Sequence, residues 1–65
     1  MSEEIVRKII EEINEALKQG RKVIINGTVV NKIDVAPSRR SIVIVINDVI
    51  TMYPSQLIRA KKVII

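Results

Sequence analysis

The sequence predicts a single α+β domain, mainly β. An N-terminal amphipathic helix leads into a five-stranded antiparallel small barrel, with a 3₁₀ turn before the last strand. Three observations carry this expectation. Residues 3–19 repeat their apolar side chains every three or four positions, which is the helical period. From Lys22 onward the pattern changes to short runs of β-branched residues, the signature of strands. The dipeptides Asn26-Gly27 and Asn47-Asp48 punctuate those runs at spacings suited to tight hairpins.

The helix over 3–19 follows from Ile5, Val6, Ile9, Ile10, Ile13, Ala16 and Leu17, which form one broad apolar stripe. Ser2 is its expected N-cap, and Glu3 and Glu4 sit where the helix dipole favours negative charge. Glu3–Arg7 and Glu4–Lys8 are spaced as i,i+4 ion pairs in the favourable orientation. Gly20 is positioned to end the helix as its C′ residue.

Strands are expected over about 22–26, 28–35, 41–47, 49–53 and 61–65, all within one domain spanning 1–65. Asn26-Gly27 specifies a type I′ hairpin, because both residues accept positive φ. That turn sets Ile24 opposite Val29 and Val23 opposite Val30. Near Asn31 the register is open, since Val30 and Ile33 share a face only if a bulge intervenes. Residues 36–41 form a polar connection broken by Pro37. Ile42-Val43-Ile44-Val45-Ile46 is apolar without alternation, as in a strand buried on both faces. Pro54-Ser55-Gln56-Leu57-Ile58 reads as one helical turn, and Val63-Ile64-Ile65 closes the chain as the last strand. Strands apolar on both faces require two dry layers. The interior of a curled sheet supplies one, and the helix is expected to cover the other.

Composition narrows the chemistry. A chain of 65 residues lies near the lower size limit for folding without staples, burying about 60% of its unfolded surface. Without Cys or His there is no disulfide, zinc finger or iron–sulfur ligation, so no metal or other cofactor is expected. Dense aliphatic packing is the remaining support, and 14 Ile and 9 Val supply it. Ser38, Ser41 and Ser55 lack a His to activate them, and the helix glutamates face solvent, so no enzyme activity is expected. With only Gly20 and Gly27, there is no glycine-rich phosphate loop. No apolar run reaches the roughly 20 residues needed to span a bilayer. The acidic start does not resemble a signal peptide, which leaves a cytoplasmic location, in an expression host or otherwise, as the default.

The net charge of +4 is unevenly spread. Five of the seven acids lie in residues 2–20, whereas eight of the eleven Lys and Arg follow them. The candidates for a nucleic-acid surface are Arg21, Lys22, Lys32, Arg39, Arg40, Arg59, Lys61 and Lys62. Tyr53, the sole aromatic residue, is the only platform on which a base could stack.

The order of helix, four closely joined strands, one-turn helix and last strand resembles the small β-barrels of the Sm-like and SH3-like families. The resemblance covers the whole chain but lies in element order. It implies RNA binding through two loops. Here those are Pro37-Ser38-Arg39-Arg40-Ser41 and Ile58-Arg59-Ala60, so Arg39, Arg40, Arg59, Lys61 and Lys62 are the residues it points to. The first loop lacks the family's Asp and Asn, and Ala60 stands where the family carries Gly. The resemblance also implies rings that pair the fourth strand of one copy with the fifth of the next. Lys61 and Lys62 flank that edge, and a monomer is the expectation.

Cap, binary pattern, turn residues and edge charges all agree on one structure. That consistency resembles de novo designed small β-barrels, although an Ile- and Lys-rich barrel from a hyperthermophile or its virus reads similarly. Two functions are therefore expected in order. The first is a designed, monomeric scaffold needing no partner and having no activity of its own. The second is an Sm-like nucleic-acid (RNA)-binding module using its basic loops; the basic charge also leaves room for weak nonspecific nucleic-acid binding.

Overall fold

The computed structural model describes residues 2–65. Its elements are α1 (Ser2–Lys18), β1 (Val23–Ile25), β2 (Thr28–Val30), β3 (Ile33–Pro37), β4 (Ile42–Ile46), β5 (Val49–Met52), α2 (Pro54–Arg59) and β6 (Lys62–Ile64). They form two three-stranded antiparallel sheets, ordered β2-β1-β6 and β3-β4-β5, an α+β fold. No closed barrel is found among the described residues.

Helix α1 buries Val6, Ile10, Ile13 and Ala16, which are three or four residues apart and so share one face. Ile5, at the edge of the predicted stripe, is exposed. The Ser2 side chain, and with it the expected N-cap, lies outside the described residues. Arg7 donates to Glu3 at 3.2 Å, one of the anticipated i,i+4 pairs. The helix ends in a Schellman motif: the Gly20 N–H donates to the Leu17 carbonyl at 3.0 Å and the Arg21 N–H to the Ala16 carbonyl at 3.0 Å. Gly20 takes φ +75°, a backbone that a Cβ would strain.

The first hairpin has the predicted register, Val23 opposite Val30 and Ile24 opposite Val29. Its turn residues Asn26 and Gly27 take φ of 49° and 81°, as a type I′ turn requires. Strand β6 adds to the other side of β1. The second hairpin turns at Asn47 and Asp48, both with positive φ. In β3, Pro37 pairs with Ile42 instead of breaking the strand, because β3 is a sheet edge and needs no outward donor.

Six strands stand where five were predicted. The strand expected over 28–35 is divided into β2 and β3 by Asn31 and Lys32. Both of their N–H groups donate to the side chain of Asn47 rather than to a neighbouring strand. The ladder therefore stops, the chain bends, and Val30 and Ile33 both turn inward and are buried.

A second correction concerns the two dry layers. One core cluster unites Val6, Ile10, Ile13 and Ala16 with Val23, Ile25, Val30, Ile33, Ile44, Ile46 and Leu57. Both helices thus cover the inner faces of the sheets, whereas on the outer side only β4 is screened, with Val43 buried outside that cluster. Strand β4 is extended, and none of its five residues is exposed. Elsewhere the outer faces are open: Val29 is 46% and Ile50 68% exposed. Each fully buried aliphatic side chain in the core contributes about 1.5–3 kcal/mol. No buried polar or charged residue interrupts that core among the described residues.

Candidate functional site

The basic residues singled out by sequence fall into two groups. Arg39 and Arg40 are exposed on the loop between β3 and β4, which the Ser38 N–H closes by donating to the Ser41 carbonyl at 2.9 Å. Arg59, Lys61 and Lys62 lie at the junction of α2 and β6. Pairing with β1 sets this junction beside the Asn26-Gly27 turn: the Asn26 N–H donates to the Lys61 carbonyl at 2.9 Å. The Lys61 N–H returns a bond to Asn26 Oδ1 at 3.0 Å. The first group therefore adjoins the β3-β4-β5 sheet and the second the β2-β1-β6 sheet.

Within the second group the head groups differ in what they can do. Arg59 and Lys61 are exposed. Lys62 is half-buried, and its Nζ donates to the carbonyls of Leu57 at 2.8 Å, Ile58 at 3.2 Å and Ala60 at 2.8 Å. Its charge meets the negative end of α2, where the Leu57 carbonyl also accepts from the Ala60 N–H at 3.2 Å. A phosphate would have to compete with three bonds already made. Lys62 is thus a capping residue in this geometry, and neither a free contact nor a simple edge guard. Lys32 is likewise engaged, with Asp48 at 3.0 Å, although both side chains are well exposed. Such a surface pair is worth at most about 1 kcal/mol.

The Asn47 side chain makes as many bonds as Lys62, although sequence reasoning treats it only as a turn residue. Its Oδ1 accepts from the Asn31 N–H at 2.8 Å and the Lys32 N–H at 3.2 Å. Its Nδ2 donates to the Val29 carbonyl at 2.9 Å. The Asn47 N–H itself donates to the Lys32 carbonyl at 2.9 Å. One asparagine at the tip of the β4–β5 hairpin thereby holds the bend that joins the sheets. The clue was the coincidence of an unresolved register at Asn31 with a second Asn whose turn needs positive φ.

Gln56 works similarly at the start of α2, where its Oε1 accepts from the Tyr53 N–H at 2.8 Å. Tyr53 is 62% exposed, adjoining a depression of about 300 Å³ that Val43, Ile50 and Met52 also line. An open hollow of about 430 Å³ lies over Lys8, Glu11, Glu12 and Glu15 on the solvent face of α1. Another, of about 210 Å³, is lined by Lys32, Asp34, Val35, Val45 and Asp48. Among the described residues, no three carboxylates gather to hold a metal ion, and no helix is long and apolar enough to cross a membrane.

Comparison with protein-family models, with curated proteins and with solved structures returns no match.

Proposed function

We propose that this chain is a structural scaffold of the designed small-barrel kind, with no catalytic activity of its own. What carries the reading is where its best-connected polar side chains are engaged. Asn47 binds the backbone of the bend, Asn26 ties β1 to β6, Gln56 caps α2 at its start, and Lys62 caps it at its end. Each serves the fold. The order β6-β1-β2 running through a bend into β3-β4-β5 supports the Sm-like and SH3-like comparison, as an open form of that small barrel. Agreement of a Schellman cap, two positive-φ hairpin turns and an all-apolar core supports a designed origin.

The segregation of charge favours a second reading, nucleic-acid binding through Arg39, Arg40, Arg59 and Lys61, all exposed. One experiment separates the two. A labelled single-stranded oligonucleotide is titrated and followed by fluorescence anisotropy at about 50 mM and at about 150 mM salt. The scaffold reading expects no saturable binding at the higher salt. Saturable binding there, abolished by Arg39→Ala with Arg40→Ala, would replace it with the second reading. The absence of binding even at low salt would remove the second, because the electrostatic attraction is then at its strongest.

A further inference from the structure

We propose that Asn26 is a site of spontaneous covalent modification, and that docking of β6 controls its rate. The chain has four asparagines, at 14, 26, 31 and 47, and only Asn26 is followed by glycine. Gly27 lacks a Cβ, and the space where one would stand is empty, so its backbone nitrogen is unhindered. Glu15, Lys32 and Asp48, which follow the other three, all carry side chains that crowd the corresponding nitrogen.

The chemistry needs only water. The Gly27 backbone nitrogen attacks Cγ of Asn26, forming a C–N bond as it gives up its proton. The bond between Cγ and Nδ2 breaks, and ammonia leaves with that proton. Water then adds across either carbonyl–nitrogen bond of the cyclic imide, leaving an aspartyl or an isoaspartyl residue at position 26. Nothing is oxidised or reduced.

The fold restrains the first step. Attack requires the Asn26 side chain to swing back toward its own succeeding nitrogen. In the folded chain its Oδ1 is instead held by the Lys61 N–H at 3.0 Å, a partner 35 residues away. The Asn26 N–H to Lys61 carbonyl bond at 2.9 Å locks the same pair from the other side. Lys61 belongs to the approach to β6, a three-residue edge strand at the chain's end, and Lys62 anchors that approach to α2. Opening of β6 releases Oδ1, and an edge element of this kind opens more readily than the core. Modification is therefore expected to track the population of the β6-open form.

The products differ in consequence. An aspartyl residue keeps an oxygen in place to accept from Lys61. An isoaspartyl residue inserts one more backbone carbon between Ile25 and Thr28, which a two-residue type I′ turn cannot absorb. The β1–β2 hairpin and the β6 attachment then loosen together, irreversibly. The inference stands independently of either function proposed above.

The test incubates the protein at mildly alkaline pH in buffer, in sub-denaturing urea and fully unfolded, beside a Lys62→Met variant. Peptide mapping by mass spectrometry follows loss of Asn26, and hydrogen exchange follows the Lys61 amide in the same samples. The expected result is loss about tenfold or more slower in the folded protein than in the unfolded chain, rising wherever Lys61 exchange rises. Equal rates folded and unfolded would overturn the proposal. So would Lys61 exchange that accelerates in urea while the rate at Asn26 stays constant, a readout that holds even if the variant does not fold.

Discussion

Replacing Asn47 by alanine tests how the two sheets are joined. The substitution removes three side-chain bonds to backbone groups of Val29, Asn31 and Lys32. These bonds are solvent-accessible, so each is taken at the low end of the usual net value, about 0.5–1 kcal/mol. Asn47 also holds φ +53°, which alanine tolerates less well by about 1 kcal/mol. Together these give a loss of about 2–4 kcal/mol. A domain of this size has a total stability of only about 3–10 kcal/mol. Thermal unfolding followed by circular dichroism should show Tm falling by about 10 °C or more. Asn47→Gly removes the same bonds but tolerates positive φ, so it should recover about 1 kcal/mol of that loss. Hydrogen exchange should accelerate first at the Asn31 and Lys32 amides. An alanine variant within about 0.5 kcal/mol of the parent would refute the assignment of the bend to this side chain.

The other expectations test the single core and its caps. Leu57→Ala, at a fully buried anchor of α2, should cost about 2–5 kcal/mol in chemical denaturation, and a smaller loss would mean α2 is loosely packed. Val29→Thr, on an open outer face, should change stability by no more than about 0.5 kcal/mol; a core-sized loss would restore the second apolar layer. Gly20→Ala should destabilise by about 1 kcal/mol because φ is +75° although space for the Cβ is free, and an unchanged Tm would dismiss the strain. Raising salt to about 1 M should barely move the urea midpoint through Lys32–Asp48 or Arg7–Glu3, both well exposed, and a large drop would show those pairs to be stronger than their exposure allows.

Much of the local structure was legible because it depends on neighbours in sequence. The α1 stripe, Gly20 as its stop, the Asn26-Gly27 turn with its register, β4 and the turn of α2 all follow from spacing and backbone preference. The reading failed where side-chain geometry or sheet position intervened. Lys62 looked like a guard of an edge, yet its side chain reaches back to α2 carbonyls that no sequence pattern marks. Pro37 looked like a strand breaker, and was not one because β3 happens to lie at a sheet edge. Of the candidate basic site, exposure of Arg39 and Arg40 followed from their polar loop. Their attachment to a different sheet from the one that Arg59 and Lys61 adjoin did not.

The sequence alone determined the elements and their chemistry: periodicity of apolar residues selects helix or strand, and residues that tolerate positive φ select the turns. It also determined that support had to come from aliphatic packing. Tertiary structure alone decided that one strand would become two and that both helices would share one core. The physical reason is that unpaired amides at Asn31 and Lys32 must find acceptors. The nearest was the Asn47 side chain, some 15 residues along the chain but adjacent once β4 and β5 had paired.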